Sequence, residues 1–233
     1  AAAGLAWVAI AATKWLPRPT ETQRKALAIL AAPPISASGQ HNAFAAVWLW
    51  HYDIPAAAVE NVANADIARY RMPDLDAQSG FVSTAEGVYR YSVVSGKALE
   101  ALCLPADADC LEKIRRDPGA TRKALARNTA QLDHALALGA FDHYHGRFPP
   151  NVLQPLPEMS GPAWLQLSDA ALRFVEGDAT EGVWRACTGA RPWRQLALHD
   201  DSLIVQASAA ENAIAFSALF AHMLAELPVD VPL

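Results

Sequence analysis

The stretch LCLPADADCLEKIRRDPGA, residues 102–120, places Cys103 and Cys110 seven positions apart and then begins a helix with Asp-Pro. In one continuous helix the two thiols would lie about 10 Å apart along the axis, which is too far to bond. Pro105 and the neighbouring aspartates instead predict a loop, whose ends can meet in a disulfide. Closing a loop this short stabilises a fold by about 2.5 kcal/mol. The pairing requires an oxidising compartment.

Two other roles for the cysteines are weighed against this disulfide. A zinc knuckle needs two to four residues between its cysteines and a second ligand pair, whereas six residues intervene here. Pairing of Cys103 or Cys110 with Cys187 stays open, because spacing alone does not decide connectivity. Cys187 lies in the apolar stretch VWRAC and is predicted to be a buried free thiol.

Outward from this loop, capping residues and prolines mark one helix after another. The helix over 117–139 begins with Asp-Pro and ends at a glycine, and the helix over 178–189 begins with a capping box. Further helices are predicted over residues 20–30, 42–52, 53–72, 162–177 and 202–227. The sequence therefore predicts an all-α fold: an irregular helical bundle with an N-terminal hydrophobic helix and a long proline-rich loop at 141–162.

Two segments need a separate interpretation. GVYRYSVVSG, residues 87–96, alternates in part and is compatible with a strand or a helix, of which the helix is favoured. The last helix, 202–227, is apolar almost all round, and Glu211 is its one acid before Glu226. Because a helix without a polar face belongs inside a bundle or a membrane, we expect it to be the central helix.

Composition excludes several classes of protein. Hydrophobic residues make up 52% of the 233 residues and charged residues 18%, which is incompatible with a disordered chain. The formal net charge is −5, and the basic residues are scattered. A nucleic-acid partner is therefore not expected. No Gly-rich phosphate loop, dinucleotide fingerprint or serine-hydrolase motif occurs, so no cofactor is predicted.

The N-terminus is a candidate membrane anchor. Residues 1–16 are predicted to form a hydrophobic helix, and residues 17–233 a single helical domain. A membrane span needs about twenty apolar residues, so the segment would be a truncated span. A buried core helix and a signal-peptide remnant are the alternatives. Lys14 and Arg18 follow the apolar run and argue against this anchor, since positively charged residues beside a membrane span normally stay on the cytoplasmic side.

The chemical candidates are few. Asp142, His143 and His145 lie within four consecutive positions of AFDHYHGRF, and His-x-His in an extended segment can bind zinc with a carboxylate as third ligand. An Asp–His pair can also orient a general base. The alternative is an exposed polar turn. Glu211, if buried without a partner, would have a raised pKa, although ion pairing to a nearby arginine is the commoner outcome.

Three stretches carry a family resemblance: HNAFAAVWLWHYDIPAAAVE, CLEKIRRDPGA and WRQLALHDDSLI. There the chain resembles uncharacterised, N-terminally anchored helical envelope proteins of Gram-negative bacteria. The resemblance spans most of residues 20–227. It implies helical content, export and a disulfide, but no activity, so no functional residue is carried over.

These observations lead to three functional hypotheses. The first is a non-catalytic interaction protein (a binder, inhibitor or immunity-type partner of another envelope protein) that is anchored in the bacterial inner membrane through residues 1–16 and faces the periplasm. The second is an envelope hydrolase or metalloenzyme that uses Asp142, His143 and His145. The third is a structural subunit of a membrane complex.

Overall fold

The computed structural model describes residues 20–22, 24–25, 41–70, 80–107, 109–149 and 154–228. The chain divides into two compact units, Ala1–Ser36 and Ala37–Leu233. In the first unit the Arg24 amide donates to the Thr20 carbonyl at 2.8 Å, so a helix begins where Thr20 predicts one. The proposed membrane anchor, residues 1–16, lies outside the described residues.

The described part of the second unit is helical. Its α-helices are α1 Phe44–Leu49, α2 Ala56–Arg69, α3 Lys97–Glu100, α4 Cys110–Arg116, α5 Pro118–Arg127, α6 Thr129–Ala137, α7 Pro162–Val175, α8 Ala179–Leu198 and α9 Leu203–Glu226. A short 3₁₀ turn, Leu138–Ala140, follows α6. No strand occurs within the described ranges, where β pairing is limited to isolated bridges. The all-α prediction is confirmed.

Capping side chains begin the helices at the positions that the sequence indicates. The Asp117 side chain accepts from the Ala120 amide at 2.9 Å, and the Asp178 side chain accepts from the Glu181 amide at 3.4 Å. Such bonds satisfy amides that have no partner within the helix. The segment 117–139 is nevertheless two helices, because Asn128 leaves helical geometry and its side-chain amide donates to the Ala124 carbonyl at 2.8 Å.

Residues 87–96 correct a second expectation. They form turns and extended backbone, and α3 begins only at Lys97. Gly87 and Gly96 have φ of 74° and 57°, in the left-handed region that interrupts a helix. Tyr91 forms an isolated antiparallel bridge with Tyr52 instead. The favoured helix over this segment is therefore wrong.

The central helix of the bundle is α7, not α9. Eleven of its fourteen residues are buried, and it contacts α4, α5, α6, α8 and α9. In contrast, α9 packs mainly on α8 and leaves one apolar side exposed. The expectation of a central α9 is wrong because composition indicates that a helix is apolar, not how many neighbours cover it.

The helix that was expected to end at Gly189 instead continues to Leu198 as α8, through Pro192. Proline in a helix interior removes a backbone hydrogen bond and is costly. Here both Gly189 and Pro192 are buried, in a helix packed along α9. A Cβ atom on Gly189 would lie 2.5 Å from the Phe216 ring, which shows how closely the two helices approach. This packing stabilises α8 enough for the helix to continue through Gly189 and Pro192.

Candidate functional site

The histidine segment is extended and is held between two other parts of the chain. The Ala43 amide donates to the His143 carbonyl at 2.9 Å, and the Tyr144 amide donates to the His199 carbonyl at 3.0 Å. Parallel bridges accompany both bonds, Asn42 with His143 and Tyr144 with Asp200. Polar residues of three distant segments are thereby brought together.

The two imidazoles bind different carboxylates. His143 Nδ1 lies 2.5 Å from Asp142 Oδ1, whereas His145 Nδ1 lies 2.6 Å from Asp201 Oδ2. Asp201 also accepts the Gly146 amide at 3.0 Å, which orders the chain after His145. Asp201 was not among the residues proposed from the sequence, because it is 56 positions away and no local pattern joins it to His145.

This arrangement bears on the metal hypothesis. Asp142 and His143 are bonded to each other, and the ring of His145 points to a separate carboxylate. Over the part of the chain that the structure describes, no three His, Cys, Asp or Glu side chains are grouped as metal ligands. The geometry supports two hydrogen-bonded imidazole–carboxylate pairs rather than one converging ligand set.

An unusual acid lies beside these pairs. Asp200 Oδ1 accepts the Ser202 amide at 2.5 Å, but its Oδ2 is buried without a hydrogen-bond partner. Burial raises the pKa of Asp200 to about 7. The negative charge of Asp201 also raises it, whereas the hydrogen bond from the Ser202 amide lowers it. Burial also raises the pKa of Tyr144, as do the charges of Asp200 and Asp201. The cluster can therefore exchange a proton near neutral pH.

Glu211 corrects another expectation. It lies on the exposed side of α9 rather than in the core, so the premise of a buried acid is wrong. The arginines Arg173 and Arg185, which could have paired with an acid in the core, bind Asp169. Within the described ranges Glu211 forms no salt bridge, and it is a surface carboxylate.

The cysteines follow the predicted pairing. The sulfur atoms of Cys103 and Cys110 are 2.02 Å apart, at the distance of a disulfide, and both residues are buried. The Cys103 amide donates to Ser168 Oγ at 2.8 Å, which ties this loop to the central helix. Cys187 is exposed and free, so its predicted burial is wrong. Its neighbour Trp184 is 63% exposed.

An exposed apolar groove lies between α8 and α9, here called the α8–α9 groove. Its volume is about 650 Å³, and it is lined by Arg194, Ala197, Leu198, Ala210, Ala213, Ile214, Ser217 and Ala218. Leu198 is 73% exposed and Ile214 is 70% exposed. The sequence shows that α9 has no polar face, but not that one side of α9 lacks a neighbour among the described residues.

Among the described residues, α9 is the one helix that is long and apolar enough to cross a membrane. Core helices of soluble proteins have the same length and composition. Only 39% of its most apolar window is buried, and its covered side packs on α8 through Phe216. Arg194 lines the uncovered side, and Glu211 is exposed.

Comparison with known proteins finds no matching family model, no matching curated protein and no matching solved structure.

Proposed function

We propose that this protein is a non-catalytic interaction protein whose α8–α9 groove binds an amphipathic helix of another envelope protein. One observation carries the proposal: Leu198 and Ile214 stand exposed on either side of a groove whose lining is almost entirely apolar. Soluble proteins seldom expose continuous apolar surface, and where they do it usually marks a binding site.

The shape of the groove suits a helix. It runs between two packed helices, and alanines of α9 line it between the larger side chains of Leu198 and Ile214. Small side chains let a partner backbone approach closely, while a helical ligand presents apolar anchors at positions i, i+3, i+4 and i+7. A partner helix laid along the groove would cover both exposed side chains.

Charge indicates one further property of the partner. Arg194 is the single charged residue that lines the groove, and it forms no salt bridge with any residue that the structure describes. A guanidinium at the edge of an apolar surface favours a carboxylate on the incoming chain. The partner helix is therefore expected to carry one Asp or Glu beside its apolar face.

The compartment is part of the same proposal. The buried Cys103–Cys110 pair at disulfide distance supports an oxidising environment, and the resemblance to anchored envelope proteins supports the periplasmic side of the inner membrane. Residues 1–16 would supply the tether.

The test begins in cells that express the full chain. A photo-crosslinking amino acid at Ser217, inside the groove, is compared with the same group at Arg116, which is exposed on α4. We expect a specific protein adduct from Ser217 alone, mapped by mass spectrometry to an amphipathic helical segment with an acidic residue. Adducts confined to lipid or to a second copy of the chain would contradict the proposal, as would equal labelling from both positions.

A synthetic peptide of the mapped segment then tests the contacts. Ile214→Glu should weaken peptide binding at least about tenfold, since a charge would replace an apolar anchor. Val88→Glu is the matched control, because Val88 is equally exposed at 71% but lies outside the groove. Arg194→Glu should also weaken binding, and reversing the charge of the peptide acid should restore it. An affinity unchanged by Ile214→Glu would contradict the proposed site.

A further inference from the structure

A second cavity lies at the N-terminal end of α6, and none of its lining residues belongs to the α8–α9 groove. Its volume is about 230 Å³, and its lining includes His51, Asp53, Arg90, Arg127 and Gln131. The backbone of residues 126–131 completes the wall. Cavities for drug-sized ligands usually exceed about 300 Å³, so this one suits a smaller molecule.

Two deeply buried side chains in this wall have unused hydrogen-bonding atoms. His51 is 4% exposed and Gln131 is 3% exposed. The Gln131 Nε2 group lies 3.0 Å from His51 Nδ1 and also donates to the Ser92 carbonyl. No hydrogen bond reaches His51 Nε2 or Gln131 Oε1. Buried polar atoms are nearly always paired, so two unpaired atoms in one cavity wall point to a missing partner.

The existing bonds leave Gln131 Oε1 as an unused acceptor. Gln131 Nε2 donates to the Ser92 carbonyl and lies 3.0 Å from His51 Nδ1, which itself lies 3.2 Å from the Ser92 carbonyl. Burial lowers the pKa of His51, partly offset by the Ser92 and Glu158 carbonyls, so the ring is neutral at pH 7. A neutral imidazole carries its hydrogen on one nitrogen only, and Nδ1 has a bonding partner in either tautomer.

The helix end and the arginines make the site attractive to anions. The Asn128 side chain turns back to Ala124, so no side chain caps the first amides of α6. Free amides at a helix start favour negative charge. Arg90 and Arg127 form no salt bridge with described residues, and Asp53 is the one carboxylate in the wall. With His51 neutral, the wall carries a net positive charge.

We propose that this cavity binds a small organic anion, a carboxylate or a phosphate, with a hydroxyl or amino group next to the anionic group. The α6 amides and the two arginines bind the anionic oxygens. Gln131 Oε1 and Asp53 accept from the adjacent hydroxyl or amino group. This inference is independent of the helix-binding function.

Calorimetric titration of the full chain with defined probes tests the proposal. Lactate and glycerol 3-phosphate each combine an anion with a neighbouring hydroxyl. Lactate tests whether the cavity binds a carboxylate, and glycerol 3-phosphate tests whether it binds a phosphate. We expect at least one of them to bind with a Kd below about 1 mM. Propionate and inorganic phosphate, the corresponding anions without a hydroxyl-bearing carbon, should bind at least about tenfold more weakly, since Gln131 Oε1 then stays unpaired.

Matched variants locate the binding. Arg127→Gln should weaken the tighter probe at least about tenfold, because a charge-assisted hydrogen bond is lost. Lys123→Gln removes an exposed charge one turn earlier on α5, outside the cavity, and should leave the Kd unchanged. The ¹⁵N resonance of His51 Nε2 should shift on binding. Absence of saturable binding by every probe up to 10 mM, or an equal loss from both variants, would overturn the inference.

Discussion

At the scale of single residues, burial decides which groups respond to pH. Burial raises the pKa of Asp200 from its ordinary value of 3.8 to about 7 in the folded protein. Between about pH 4 and pH 7 the folded protein therefore keeps a proton on Asp200 that the unfolded chain has released. Its contribution to stability is therefore complete below about pH 4 and is lost as the pH rises to about 7. The lowered pKa of His51 acts in the opposite sense, with stability lost as the pH falls below 6.5.

Asp200→Asn isolates the first of these effects, because it keeps the shape and the oxygen that accepts from Ser202. Measured by urea unfolding, the variant should gain stability over the parent chain at pH 8 and lose most of that gain at pH 4. Asp133→Asn, an exposed acid on α6, is the control and should show no such gain. A difference between Asp200→Asn and the parent that does not vary with pH would contradict the assignment.

At the scale of elements, glycines set the spacing between helices. A Cβ atom on Gly182 in α8 would lie 2.7 Å from the backbone nitrogen of Phe174 in α7. A backbone atom in a packed helix cannot move aside as a flexible side chain can. The hairpin of α7 and α8 therefore depends on glycine at this position, even though glycine inside a helix costs about 1 kcal/mol relative to alanine.

Gly182→Ala is accordingly expected to lower the free energy of unfolding by about 1–3 kcal/mol, the usual cost of overpacking. Gly139→Ala provides the matched control, because a Cβ atom there has no neighbour within 4 Å. That control should be neutral or stabilising by about 0.4–1 kcal/mol. Urea denaturation of both variants measures the difference, and equal stabilities would contradict the close approach of α7 and α8.

At the scale of the whole molecule, the Cys103–Cys110 loop joins the start of α4 to the central helix. Both cysteines are buried, and the Cys103 amide is bonded to Ser168 in α7. Stability of a domain is only about 5–15 kcal/mol in total, so one short covalent loop is a substantial part of it. Cys187 is exposed and takes no part.

Replacing Cys103 and Cys110 together by serine should lower the free energy of unfolding by about 2.5 kcal/mol, from the entropy that the closed loop removes from the unfolded chain. Cys187→Ser should change it by less than about 0.5 kcal/mol, as is usual for surface substitutions. Thiol titration of the unreduced, denatured protein should find one free sulfhydryl. Three would refute both the disulfide and the export that it supports.

Local signals explain which parts of the fold were predictable. The caps at Asp117 and Asp178 bond to amides three residues away, so their pattern is readable without the rest of the chain. The Asn128 break is not predictable locally, because asparagine can either continue a helix or bond its side chain to the backbone, as it does here. The central position of α7 and the exposure of Cys187 depend on neighbours distant in sequence, and local patterns do not record them.

The candidate sites likewise combine residues that a local pattern indicates with residues that are distant in sequence. The His-x-His pattern located an imidazole–carboxylate cluster, but its second acid, Asp201, comes from the turn before α9. His51 and Gln131, which carry the unpaired atoms, meet across 80 positions of sequence. Glu211 lies in an apolar stretch that predicts burial, yet it is exposed, because no helix of the described ranges covers that side of α9.

The sequence by itself determined the helical class, the caps and the distance over which Cys103 and Cys110 can pair, since each depends on contacts within a few residues of the chain. Only the tertiary structure decided that α7 is central, that α9 keeps an open apolar side, and that a polar cavity forms at α6. Those features depend on which distant helices exclude water from a given surface, and exclusion of water is a property of the packed whole.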